Sequence, residues 1–203
     1  MVDEKSMFVG RHSMLLASAS PRRRRFLEQL GLHFDVEPAE VNEDAFVGEN
    51  PQAFVLRLAL DKARVIAQKR VDSVVVAADT AVVLGDAILG KPQDPAAAVD
   101  MLMQLAGRTH LVWTGYAVVG IEAKIELARA VCTEVRFVDF DRQTAAAYVA
   151  TGEPLDKAGS YGIQGRGGCL VEGIVGSWSN VVGLPMAELV ADLRSLGIIE
   201  PTE

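Results

Sequence analysis

Apolar residues fall along the chain in two patterns, short continuous runs and longer stretches at helical spacing, and their alternation predicts strands and helices taking turns. The first run, 13–18, reads as a buried strand that stops at Ser20-Pro21. Ser20 can cap a helix whose first position is Pro21, with Phe26, Leu27 and Leu30 on its apolar face and Gly31 at its end. After a short strand at 34–36, Asn50-Pro51 opens a long helix in which Phe54, Leu58, Ala59, Ala63 and Ile66 recur at helical spacing. Lys62 stands one turn after Leu58, on or beside that buried face, where a lysine requires an anion.

The β-branched run 73–78 reads as a strand buried on both faces that ends at Asp79-Thr80. Beyond a turn at Gly85-Asp86, Asp94 caps a helix over 95–105. Residues 109–120 and 130–139 read as longer, antiparallel neighbours, followed by a helix at 143–150, a strand at 169–174 and a last helix at 185–196. The segment 159–168 holds five glycines, too many for a helix interior, and reads as a binding loop whose backbone lies close to a ligand. No repeat or long linker interrupts the chain, whose length suits one α/β domain or two tightly joined lobes.

Composition narrows the function. Half the 203 residues are apolar and 23% are charged, as in a compact enzyme and unlike a disordered chain. A net charge of −7 argues against a general nucleic-acid binder, so any anion site must be local. With no apolar run near the roughly 20 residues that span a bilayer, and no signal-peptide core in 1–12, neither a membrane partner nor export is expected and the location reads as cytoplasmic. Cys132 and Cys169 lack metal-ligand spacing and are expected as buried free thiols.

The strongest local chemistry is the turn Ser18-Ala19-Ser20-Pro21-Arg22-Arg23. A helix N-terminus offers unpaired N–H groups, hydroxyls add donors and guanidinium groups add fixed charge, a combination suited to phosphate; a capped helix with solvated arginines fits the same residues. Arg24 and Arg25 read as surface residues, Arg24 placed to pair with Glu28. Glu43, in a loop carrying Glu37, Glu40, Asp44 and Glu49 as well, and Asp79 can hold Mg²⁺ and orient or deprotonate a water, or serve as a solvated acid and a cap. Lys91 and Lys157 can neutralise a polyphosphate or merely solubilise their loops. There is no G-x-x-x-x-G-K-[ST] and no G-x-S-x-G, and His12, His33 and His110 show no ligand spacing. The residues alone thus reach a phosphate-handling α/β enzyme.

Five motifs, L-A-S-A-S-P-R-R at 16–23, R-L-A-L-D-K-A at 57–63, A-A-D-T at 77–80, G-K-P at 90–92 and D-K-A-G-S-Y-G-I-Q-G at 156–165, together resemble the Maf family across nearly the whole chain. The resemblance implies a single catalytic domain over 1–203 with 1–12 as an N-terminal extension. Its expected fold is a mixed, twisted β-sheet flanked by helices, with two lobes around a cleft, like inosine triphosphate pyrophosphatases. It implies hydrolysis of a nucleoside triphosphate to the monophosphate and pyrophosphate with Mg²⁺ or Mn²⁺, and a homodimer. Carried over, Ser18, Ser20 and Arg23 hold phosphates, Glu43 and Asp79 engage the metal or the attacking water with Asp79 as proton acceptor, and Lys62 and Lys91 stabilise transferred charge. Arg22, Thr80 and Gln164 match the branch acting on dTTP and UTP, whereas the methylguanosine branch carries Trp, Gln and Glu there. A carboxamide at Gln164 can accept from a pyrimidine N3–H and donate to O4, opposite to what guanine requires. The alternatives are a nucleotide-binding regulator of cell division or septum formation and a 7-methyl-GTP pyrophosphatase.

Overall fold

The computed structural model describes residues 6–202. Its elements run β1 (Phe8–Gly10), β2 (Ser13–Leu16), α1 (Pro21–Gln29), β3 (Asp35–Val36), α2 (Pro51–Lys69), β4 (Ser73–Leu84), β5 (Ala87–Leu89), α3 (Pro95–Leu105), β6 (Thr109–Gly120), β7 (Ile125–Phe137), α4 (Arg142–Val149), β8 (Val171–Val175), α5 (Trp178–Val182), α6 (Met186–Ser195) and β9 (Ile199–Pro201). Among the described residues a seven-stranded sheet follows the order β3-β2-β4-β6-β7-β8, with β5 paired to β4. It is mixed: β2 is parallel to both β3 and β4, whereas β4 with β5 and β7 with β8 are antiparallel. The expected mixed sheet flanked by helices is therefore present. No helix among the described residues is long and apolar enough to cross a membrane.

The chain gathers into two compact units. Among the described residues one takes in 6–79, Gly115–Ala130 and 183–202; the other takes in Thr80–Thr114 and Val131–Val182. In the first, α2 lays Ala59, Ala63, Ile66 and Ala67 on Leu15, Ala17, Val75, Ala77, Ala117 and Val119. The small residues let helix and strands approach closely. At Gly115 a Cβ would lie only 2.3 Å from the Val55 carbonyl oxygen of α2. In the second unit, Leu102 and Leu105 of α3 and Ala145, Tyr148 and Val149 of α4 pack with Val82, Val112, Val135, Phe137 and Leu170.

Helix starts follow local chemistry. Ser20, Asn50, Asp94 and Asp141 each accept a hydrogen bond from the backbone N–H three residues on, and proline occupies the first turn of α1, α2 and α3. Strand ends follow it less well. β4 does not stop at Asp79-Thr80: Ala81, Val82 and Val83 are buried and carry it to Leu84, so this polar pair lies in mid-strand. β7 starts at Ile125 rather than 130. It neighbours β6 across the turn 121–124, too short for a parallel crossover, which makes the pair antiparallel as expected. Within the expected N-terminal extension, Phe8–Gly10 pairs antiparallel with Ile199–Pro201; residues 1–5 lie outside the described residues. The cysteines are free but not buried: Cys132 is half-buried and Cys169, in the turn before edge strand β8, is exposed.

Candidate active site

In the first unit, β2 leads into α1 through the Ser18–Arg23 turn. Ser20 caps α1 by accepting from the Arg23 N–H at 3.5 Å, and its own N–H donates to the buried Ser18 Oγ at 3.2 Å. Arg23 is turned back onto this loop. Its Nη1 donates to Ser18 Oγ at 3.2 Å and its Nε to the Gly183 carbonyl at 2.8 Å. Burial holds the guanidinium below its usual pKa, Asp79 and Glu43 act in the opposite sense, and Arg22 adds to the lowering. Arg23 is therefore a positioned charge, while Arg24 pairs with Glu28 at 2.7 Å on the exposed face and Arg25 is exposed.

The helical spacing that placed Lys62 on the buried face of α2 is realised: the residue is only 8% exposed. Its ammonium meets Asp79 Oδ1 at 2.6 Å and Glu43 Oε1 at 2.5 Å. Two carboxylates from a strand and a loop thus converge on one nitrogen. Asp79 is mostly covered and Glu43 reaches in from an exposed position. The described residues contain no group of three or more His, Cys, Asp and Glu side chains arranged to hold a metal ion. Glu43 and Asp79 are nevertheless a fitting pair of hard oxygen donors for Mg²⁺, which commonly takes one or two carboxylates and leaves its other positions to phosphate and water.

Glu43 owes its place to a feature the sequence did not reveal. Arg57, one of the R-L-A-L-D-K-A residues, donates from Nε and Nη2 to the two oxygens of Glu49, both at 2.7 Å, and from Nη2 to the Asp44 carbonyl at 3.0 Å. Its guanidinium also lies 4.1 Å from the centre of the Phe46 ring. Arg57 thus pins the 44–49 stretch of the acidic loop to α2, beside the Lys62–Glu43 pair. Glu49 is accordingly held below the usual carboxylate range, first by the Arg57 hydrogen bonds. Only the arginine-glutamate charge pair was a signal, and five acids in one loop gave no way to choose the partner.

In the second unit, Thr80 Oγ1 lies 2.9 Å from Thr114 Oγ1. Lys91 and Gln164 are exposed, and Lys157 is half-buried. The G-K-P turn and the glycine-rich segment meet, since the Gly159 N–H donates to the Gly90 carbonyl at 3.1 Å. Lys157 is tied into its own loop, its ammonium donating to the Glu153 carbonyl at 2.5 Å and to Asp156 at 2.6 Å.

Two of the glycines of 159–168 are required by the protein's own packing. Cβ atoms at Gly165 and Gly167 would fall 2.5 Å from the Glu153 carboxylate and from the Tyr148 hydroxyl respectively, so the bare faces are turned to the protein's own polar atoms. Glu153 accepts from the Arg166 N–H at 2.9 Å, the Gly167 N–H at 3.1 Å and the Tyr148 hydroxyl at 2.9 Å; Tyr148 in turn accepts from the Gly162 N–H at 3.0 Å. Burial pushes the Glu153 carboxyl up, but these donors and Lys157 together hold it below its ordinary value. This Glu153–Tyr148 pair shapes the loop that carries Gln164, and sequence reasoning missed both.

Comparison with known proteins adds to this geometry. Residues 13–196 match the family described as Maf-like protein. The dTTP/UTP pyrophosphatase of Desulfotalea psychrophila is 52% identical over 186 residues, covering 92% of this chain and 95% of its own. That of Nitratidesulfovibrio vulgaris is 50% identical over 193 residues, covering 95% and 91%, and that of Moorella thermoacetica 49% over 185 residues, covering 91% and 95%. Among solved structures, the Staphylococcus aureus Ham1 protein aligns at a TM-score of 0.46 and 15% identity, over 63% of this chain and 72% of that one.

Proposed function

The chain belongs to the Maf family, and we propose that it hydrolyses dTTP and UTP between the α and β phosphates, so that water and the triphosphate give the monophosphate and pyrophosphate. The observation that carries this reading is the buried ammonium of Lys62 holding Asp79 and Glu43 together. The shared name of the three relatives supplies the substrate.

In this reading the N–H groups at the start of α1, the hydroxyls of Ser18 and Ser20 and the charge of Arg23 bind phosphate oxygens. Asp79 takes the proton of the attacking water. Lys62, hydrogen-bonded to Asp79, orients that carboxylate and offsets the charge that develops as the bridging oxygen leaves, and Lys91 and Lys157 add to the neutralisation. Glu43 and Asp79 are the residues that would hold Mg²⁺ or Mn²⁺, whose chemistry there is to offset phosphate charge. Arg22, Thr80 and Gln164 select the nucleoside, with the Gln164 carboxamide reading the acceptor and donor order of a uracil-type base. The same reading makes the protein a cytoplasmic homodimer without nucleic-acid or membrane partners, in line with its net charge of −7.

The test is to separate the products formed from dTTP by purified protein with Mg²⁺. dTMP and pyrophosphate in equal amounts support the reading, and dTDP with phosphate overturns the assigned bond. Preference for 7-methyl-GTP refutes the Gln164 assignment alone. Nucleotide binding without turnover transfers the lead to a regulatory role in cell division.

A further inference from the structure

Lys62 already occupies the position between Glu43 and Asp79 that a bound cation would take. Its Nζ lies 2.5 Å from Glu43 Oε1 and 2.6 Å from Asp79 Oδ1, one positive charge between two carboxylates. A divalent ion such as Mg²⁺ approaches a carboxylate oxygen to about 2.1 Å. An ion bridging the same two oxygens would therefore claim the space and the lone pairs that the ammonium holds. An ion on the other oxygen of either carboxylate would still face the ammonium's charge at close range. The two oxygens thus suit two kinds of cation that exclude one another.

The local charge points the same way. Asp79 and Glu43 both act on the Arg23 guanidinium, so Lys62 and Arg23 together offset the two carboxylates before any ligand arrives. Among the described residues no third His, Cys, Asp or Glu side chain completes a metal-holding group with them. A divalent ion alone would add two positive charges to a neutral group and find too few donors to replace its water. A nucleoside triphosphate changes both conditions, since its oxygens enlarge the donor set and its negative charge offers the ammonium another partner. The three side chains differ in how far they can respond. Those of Lys62 and Asp79 are mostly covered, on α2 and in the middle of β4, whereas the Glu43 side chain is more than half exposed on its loop. The Lys62–Glu43 contact is therefore the one that opens most readily.

We propose that Lys62 is a resident cation that closes the Glu43–Asp79 pair to divalent ions until a nucleotide is present, so that the protein takes up Mg²⁺ or Mn²⁺ only together with the triphosphate. This rests on the reading of the two carboxylates as the metal-holding pair of a nucleotide pyrophosphatase. Lys62 then has two successive partners, the carboxylates in the resting protein and phosphate oxygens in the loaded one. The exchange also accounts for a lysine at this position. An ammonium on a flexible stem moves between single contacts, whereas a guanidinium would grip one carboxylate through two bonds.

The experiment titrates nucleotide-free protein with Mn²⁺ and follows the bound ion by electron paramagnetic resonance. Lys62→Met is expected to bind Mn²⁺ at least about tenfold more tightly than the wild type. Adding Asp79→Asn to Lys62→Met should cancel the gain, which locates the ion on the pair. Arg22→Met removes a positive charge from the neighbouring turn and leaves the ammonium in place, so it should gain far less. Equal affinities of the wild type and Lys62→Met, a gain that survives Asp79→Asn, or an equal gain in Arg22→Met each overturn the proposal. Should Lys62→Met fail to fold, the wild type decides by its Tm. Mn²⁺ alone should leave that Tm unchanged, and Mn²⁺ with α,β-imido-dTTP should raise it beyond the effect of the analogue alone. A Tm raised by Mn²⁺ alone, through an effect that Asp79→Asn abolishes, overturns the proposal. A wild type that hydrolyses neither dTTP nor UTP removes the functional reading, while the Mn²⁺ titration still decides whether Lys62 guards the pair.

Discussion

Replacing Gly115 with alanine should damage stability and activity together, because of where α2 lies on β6. The added Cβ would sit 2.3 Å from the Val55 carbonyl oxygen, 2.5 Å from the Val55 carbonyl carbon and 2.8 Å from the Leu56 nitrogen. All three are backbone atoms, which cannot rotate away as a side-chain tip can, so relief to ordinary contact requires α2 to move by about 1 Å. Overpacking of a core typically costs about 1 to 3 kcal/mol, and a backbone obstacle places this variant near the upper figure. For a chain of this length that is a drop of roughly 6 to 12 °C in Tm. Lys62 lies two turns beyond Val55 on the same helix, and its hydrogen bonds to Asp79 and Glu43 leave little slack. A displacement of about 1 Å there should reduce kcat/KM by up to about 100-fold. Thermal unfolding and pyrophosphate release test both parts. Gly173→Ala is the control, since a Cβ there meets nothing within 4 Å. If Gly115→Ala melts and turns over like Gly173→Ala, the seating of α2 described here is wrong.

Arg57→Ala should free the loop bearing Glu43 and raise the Mg²⁺ concentration needed for half-maximal rate by about tenfold; Arg57→Lys should not restore it, because an ammonium cannot span both oxygens of Glu49. Glu153→Gln should weaken the hydrogen bonds to Arg166 and Gly167 and increase KM more than it lowers kcat, as measured by steady-state kinetics across dTTP concentrations. His110 is buried against Phe137 and Tyr161, and burial pushes its pKa down to about 4. Below the ordinary value of 6.5 the unfolded chain binds a proton that the folded chain refuses, so this contribution is complete above pH 6.5 and lost as pH falls toward 4. Urea unfolding should lose about 2 kcal/mol from this group between pH 6.5 and pH 5, and His110→Gln should abolish that part of the slope.

The first half of the fold was legible because its signals are local. Ser20-Pro21, Asn50-Pro51 and Asp94-Pro95 each combine a cap with a preset dihedral, and the three helices begin there. Lys62 was legible for the same reason, since one turn from Leu58 on an apolar face it could only meet an anion. Asp79-Thr80 misled because a polar pair after a run of valines resembles a strand end. What keeps β4 going is the burial of Ala81, Val82 and Val83 among partners distant in sequence. The β1 and β9 strands are three residues each and find one another across almost the whole chain, which periodicity cannot reveal. Arg57 with Glu49 and Phe46, and Glu153 with Tyr148, escaped notice because a bidentate ion pair or a half-buried carboxylate collecting N–H groups becomes recognisable only when the loop is folded around it.

The most direct measurement of the central claim is hydrolysis of dTTP and UTP with Mg²⁺ by the wild type and Asp79→Asn, paired with the affinity of each protein for dTTP. If Asp79 takes the proton of the attacking water, exchanging its carboxylate for a carboxamide lowers kcat by about 100- to 10,000-fold and leaves nucleotide binding within a few-fold, because Ser18, Ser20 and Arg23 are untouched. An Asp79→Asn protein that keeps most of its turnover, or a wild type that releases no pyrophosphate from either nucleotide, contradicts the account.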